Sequence, residues 1–101
     1  MICRFRVRAD RVPDFEELFA AHWPLLHDLG LVTDKPSKRF RGVDPLDGGP
    51  LYFEIFTWRD QQAVDHAHEQ RDVAALWDRM RGCMVEVEGL PQWEFPHVER
   101  L

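Results

Sequence analysis

The chain opens on a strict alternation. In "ICRFRVR" (residues 2–8), Ile2, Arg4, Arg6 and Arg8 fall on one side and Cys3, Phe5 and Val7 on the other, the period of a strand with one apolar face. The pattern then lengthens to a helical repeat in "VPDFEELFAAHWPLLHDLG" (12–30), where Phe15, Leu18, Phe19, Leu26 and Leu29 trace one stripe. Pro13 suits the first helical turn, Asp14, Glu16 and Glu17 suit the positive end of the dipole, and Gly30 is a stop. Pro24 sits inside the run and predicts a kink or split near Trp23.

Shorter periods return at "SKRFRGVD" (37–44), a second strand, followed by the turn-rich "PLDGGP" (45–50). "LYFEIFTW" (51–58) is rich in aromatic and β-favouring residues and predicts the third strand. Asp60 can cap the next helix, "QQAVDHAHEQRDVAALWDRM". Its apolar ridge jumps from Ala63, Val64 and Ala67 to Val73, Trp77 and Met80, which predicts a break near Glu69–Asp72. "QWEFPHVERL" supplies a last strand, with Pro96 suiting a sheet edge.

The order is strand, helix, strand, strand, helix, strand. Such a split β-α-β repeat predicts an α+β, ferredoxin-like βαββαβ domain spanning residues 1–101. Its four-stranded antiparallel sheet carries two helices on one face, with the first and third strands as a parallel central pair. Cys3, Phe5, Val7, Leu51, Phe53 and Ile55 are expected beneath the helices. The other face then carries Arg4, Arg6 and Arg8 beside Tyr52, Glu54, Phe56 and Trp58. Arginine–glutamate pairs interleaved with large rings suit a second copy of the sheet, so a homodimer is expected, with Arg4, Arg6, Glu54 and Phe56 at its interface.

Composition narrows the function. A net charge of −5 on 101 residues argues against a nucleic-acid partner. Eleven of the basic residues are arginine and two are lysine, which places rigid forks wherever positive charge is needed. Cys3 and Cys83 fall short of a disulfide framework, and the arginine-bearing start does not read as a signal peptide. No stretch is long enough to cross a bilayer. A reduced, cytoplasmic setting is expected. "DGGP" opens no helix, so no phosphate loop or dinucleotide fingerprint is present, and the lone Ser37 lies in no nucleophile elbow.

The chemistry falls to the histidines. His66–Ala67–His68 cannot clasp a metal on a helix, because residues two apart diverge by about 200°; no metal is called for. His22 lies at the centre of the buried stripe of the first helix, where a polar ring needs a partner or a cavity. Parallel central strands would bring His22 and His68 to one level, each a little over two turns into its helix. The expected pocket between helices and sheet is then lined by Cys3, Phe5 and Ile55, with His22 and His68 facing inward. Cys3 among apolar neighbours reads as a small hydrophobe, not a nucleophile.

The block "YFEIFTWRDQQAVDHAHEQRDVAALWDRM", after a strand, a helix and a Gly-rich loop, resembles the dimeric α+β-barrel proteins. These include antibiotic-biosynthesis-monooxygenase-like, ethyl tert-butyl ether degradation-type and NIPSNAP-like proteins. The likeness is carried by a strand ending in Trp58, a charged turn, Ala63, and Ala67–His68–Glu69. It implies a small dimeric monooxygenase-like protein acting on an apolar or aromatic molecule without a nucleotide cofactor. His68 and His22 would be its catalytic residues, and Trp58 joins Cys3, Phe5 and Ile55 in the pocket. Bound metal or flavin is not implied, although a haem-degrading variant with a histidine axial ligand belongs to the same group. The alternative is a non-catalytic small-molecule-binding or protein-interaction module of this fold.

Overall fold

Strand β1 (Ile2–Arg6) leads through a 3-10 turn at Ala9–Arg11 into helix α1 (Val12–Asp28). Strands β2 (Lys38–Val43) and β3 (Pro50–Ile55) form a hairpin, helices α2 (Ala63–Glu69) and α3 (Arg71–Arg81) follow, and β4 (Trp93–Glu94) adds two residues. The computed structural model describes residues 1–86, the backbone of Trp93–Glu94, and Leu101. Pro96 and His97 lie outside the described residues. No described helix is long and apolar enough to cross a membrane.

The architecture is α+β. The sheet order is β2-β3-β1-β4, and every neighbouring pair is antiparallel. Strands β1 and β3 are neighbours as expected, but they run in opposite directions. The hairpin explains the difference: β2 runs with β1 after the α1 crossover, and β3 must turn back between them. Helices α1 and α2–α3 therefore start from opposite ends of the sheet, which removes the basis for placing His22 and His68 at one level.

The phase of β3 is also the reverse of that expected. Paired residues share a face, and Cys3 stands opposite Glu54, Phe5 opposite Tyr52 and Arg4 opposite Phe53. Tyr52, Glu54 and Phe56 therefore lie beneath the helices, while Leu51, Phe53 and Ile55 share the outer face with Ile2, Arg4 and Arg6. A slip of one residue moves every side chain of a strand across the sheet. Both phases of "LYFEIF" are apolar enough to be buried, so hydrophobicity alone does not choose between them.

The filled space beneath α1 shows what the observed phase gains. The Tyr52 ring lies 4.9 Å from Phe15 and 5.7 Å from Phe19, and Phe5 lies 5.5 and 5.3 Å from the same two. Offset and edge-on rings at these separations add to their burial. Val73, Met80, Ala63 and Ala67 complete the core from α3 and α2.

Helix α1 runs unbroken through Pro24, so the expected split does not occur. Its end is a Schellman motif: Gly30 N–H donates to His27 O and Leu31 N–H to Leu26 O, with Gly30 at φ +71°. Asp60 lies two residues before Gln62, the N-cap of α2, and holds the turn leading into the helix by accepting from the N–H groups of Gln62 and Ala63. The Asp60 carboxyl is held below the usual range, first by the Arg59 hydrogen bond. The expected break falls at Gln70, whose extended backbone (ψ 121°) separates α2 from α3.

A Cβ at Gly30 would meet only Arg59 Nη1, at an ordinary 3.7 Å. Gly30→Ala should therefore cost about 1–2 kcal/mol of stability through backbone conformation alone, measured by urea unfolding, with secondary structure unchanged.

Candidate functional site

His22 arrives on the buried stripe of α1 and is 1% exposed; Glu54 arrives on the helix-facing phase of β3 and is 0% exposed. Their side chains meet at 2.6 Å, His22 Nδ1 to Glu54 Oε1. On the other side of the imidazole, Trp77 Nε1–H donates to His22 Nε2 at 3.0 Å. An indole N–H can only donate, so Nε2 must present its lone pair. The tautomer follows from these partners: the proton sits on Nδ1 and is donated to Glu54. Glu54 Oε2 is buried with no hydrogen-bond partner among the described residues.

The surroundings are aromatic and tight. Phe56 lies edge-on to His22 at 6.0 Å and to Trp58 at 5.1 Å. His68, exposed on α2, packs edge-on against the Trp77 indole at 5.0 Å. Trp77 thus touches both expected catalytic histidines. Cys3 and Phe5 are fully buried in the core beside this group, with Cys3 opposite Glu54 in the strand register.

Other expected residues separate. Ile55 lies on the outer face and is 41% exposed, so it does not line a space shared with Cys3 and Phe5. Trp58 is half-buried and pairs through its backbone with Val32. Of the four residues expected at a dimer interface, Glu54 and Phe56 are beneath the helices. Arg6 is on the outer face but buried, its Nε 3.2 Å from Asp44 Oδ2. Arg4 is half-buried on that face, opposite Phe53.

Sequence reasoning missed Glu54 as the partner of His22 and placed Trp77 only in an apolar ridge. One signal was available. A histidine at the centre of a buried stripe requires a polar partner, and Glu54 is the one carboxylate in the strand that packs beneath it.

A second cluster lies at the rim of α1. Glu16 Oε1 accepts from Tyr52 Oη at 2.7 Å and from Arg41 Nη1 at 3.0 Å. The Tyr52 hydrogen bond, aided by Arg41, holds the Glu16 carboxyl below its usual value. Burial, reinforced by Glu16, pushes the Tyr52 phenol up. No family model, curated protein or solved structure matches this chain.

His22→Ala would strand the Glu54 carboxylate without its donor, a loss of about 3–5 kcal/mol in urea unfolding; imidazole nitrogen NMR of the native protein should show the Nδ1–H tautomer. Tyr52 is the lone tyrosine, so tyrosinate absorbance reports it alone. Its native midpoint should lie above the ordinary 10.0, fall in Glu16→Gln and rise in Arg41→Gln. Because the folded state keeps this proton longer than the unfolded chain, stability should hold below pH 10.0 and decline as pH rises through the native midpoint.

Proposed function

We propose that the protein is a small cofactor-independent, monooxygenase-like enzyme acting on an apolar or aromatic molecule, with His22 as its base and Glu54 as the residue that positions it. The observation that carries this reading is the buried Glu54–His22 pair, which fixes the imidazole in one tautomer and turns its Nε2 lone pair toward α3. A carboxylate behind Nδ1 orients the ring and stabilises the imidazolium formed when Nε2 takes a proton. The half-satisfied Glu54 carboxylate is a burden on stability, of the kind that folds retain where chemistry uses it.

Catalysis in this form requires Trp77 to turn aside so that substrate reaches Nε2. His22 then removes a proton from an activated CH₂ group flanked by the substrate's own rings. The carbanion passes its electrons to dioxygen, one oxygen atom ends as the product carbonyl, and the other leaves as water. The CH₂ group and O₂ become C=O and H₂O. His68, packed on the outer part of the Trp77 indole system, would act on the position of that ring rather than on the substrate.

The finer architecture belongs to the same proposal: a four-stranded ferredoxin-like sheet in a cytoplasmic homodimer, paired through outer faces into a barrel. Phe40 at 51% and Ile55 at 41% exposure, with Phe53 between them, support a covered face. The revised interface centre is Phe40, Phe53 and Ile55 with Arg4 in place of Glu54 and Phe56.

The closure of the site favours a second reading, a non-catalytic module. His22 is 1% exposed and both its ring nitrogens are engaged, so the same three residues serve as a tie between β3, α1 and α3.

An oxygen electrode and a panel of hydroxylated aromatic substrates with activated CH₂ groups separate the two. The enzyme reading expects uptake that falls about 10²–10⁴-fold in His22→Gln and less in Glu54→Gln, with Trp77→Phe retaining or raising it. The module reading expects no turnover above buffer in any variant. Separately, Ile55→Glu should convert a dimer to a monomer in sedimentation velocity without loss of helix content; a native protein that sediments as one chain at micromolar concentration removes the barrel.

A further inference from the structure

Strand β2 carries a dense basic run in a chain whose net charge is −5. Residues 35–41, "KPSKRFR", hold both lysines and two arginines and contain no acid. Six residues long, β2 is the last strand of the sheet on its side, and Lys38 to Arg41 are all exposed. Among the described residues no strand pairs with its outward N–H and C=O groups, which suits the addition of another chain.

Beside this edge lies a groove of about 490 Å³ lined by Glu16, Phe19, Ser37, Arg39, Phe40, Arg41 and Tyr52. Alternation puts Ser37, Arg39 and Arg41 on that one face. Arg39 is stacked over the Phe19 ring, its guanidinium carbon 5.5 Å from the centroid, and it has no carboxylate partner among the described residues. Arg41 is steadied by Glu16 at 3.0 Å. The ring thus holds one arginine fork in place and leaves its donors available for a bidentate acid.

We propose that the β2 edge and its groove form a docking site for an extended acidic peptide segment of a partner protein. The segment adds antiparallel or parallel to β2 through main-chain hydrogen bonds and sends a carboxylate to Arg39. Charge selects this occupant. A second copy of β2 paired antiparallel about Phe40 would set Arg39 opposite Arg41, and pairing about Arg39 would set it opposite itself; like charges directly across a ladder are unfavourable. The basic edge rejects its own kind and accepts an acidic strand. The main-chain contacts lie in the sheet plane and the Arg39 contact on the helix side, where Arg39 stands opposite Glu54 in the strand register, so the oxygen-uptake and sedimentation experiments are read separately from peptide binding.

The test uses the full chain and a fluorescein-labelled short peptide alternating glutamate with valine, followed by anisotropy. Saturable binding is expected, weakened about tenfold by Arg39→Gln, the loss of one charge-assisted contact, and weakened further by Lys35→Glu. Methylating alternate backbone nitrogens of the peptide should abolish binding in one phase and spare it in the other, because only one set faces β2. Equal binding of both methylated peptides, or of polyglutamate with the same affinity, would reduce the site to unspecific charge attraction and overturn the proposal. So would tighter binding of a single-stranded oligonucleotide, unchanged affinity in a folded Arg39→Gln protein, or no binding of the peptide in the millimolar range.

Discussion

A carboxylate buried beneath a helix has to be met by a donor, and here the donor is His22. That one requirement organises the molecule. Bringing Glu54 out of water costs several kcal/mol even after relaxation, and the 2.6 Å bond to Nδ1 offsets part of it. The bond fixes which face of β3 turns inward, since Glu54 can be buried only where His22 descends. With Glu54 come Tyr52 and Phe56, which fill the space against Phe15, Phe19 and Trp58. It also fixes the tautomer of His22, and through Nε2 it sets where Trp77 and hence α3 must sit.

Much of the scaffold was legible because each element carries its own local signal. The alternation of "ICRFRVR", Gly30 at a helix end, Asp60 before "QQAV" and the ridge jump at Gln70 are contacts within a few residues, and each has its counterpart in the structure. What the chain did not disclose locally was the phase of β3 and the direction of the central pair. Leu51, Phe53 and Ile55 are about as apolar as Tyr52 and Phe56, and an acidic residue in a strand is by default turned to water. The deciding term is a contact between positions 22 and 54, far apart in sequence. The split expected at Pro24 is absent for a similar reason: the buried stripe of α1 continues past it to Leu26, and that packing outweighs one missing backbone donor.

The candidate site divides in the same way. His22 was identifiable because a polar ring at the centre of an apolar stripe is conspicuous, whereas its partners were hidden in segments read as core or outer face. His68 was chosen by likeness to other proteins and is exposed, yet it is not remote: its ring touches Trp77, which touches His22. Ile55 left the expected pocket with the phase of β3, and Glu54 left the expected interface for the same cause. One slip therefore accounts for most of the differences between the expected and observed sites.

Trp77 is where structure and proposed chemistry make opposite demands. Its N–H caps the lone pair that a base must use, so the bond that holds α3 onto α1 also silences His22. The extended backbone of Gln70 separates α3 from α2. The indole is only half-buried, and His68 on α2 packs against it. A neutral hydrogen bond between indole and imidazole contributes about 1 kcal/mol net, a small sum beside the burial of Val73, Leu76 and Met80 that keeps α3 on the core. In the proposed chemistry it is the Trp77 side chain, rather than the whole helix, that would turn to uncover Nε2, and Glu54 would keep the imidazole aimed while it is uncovered.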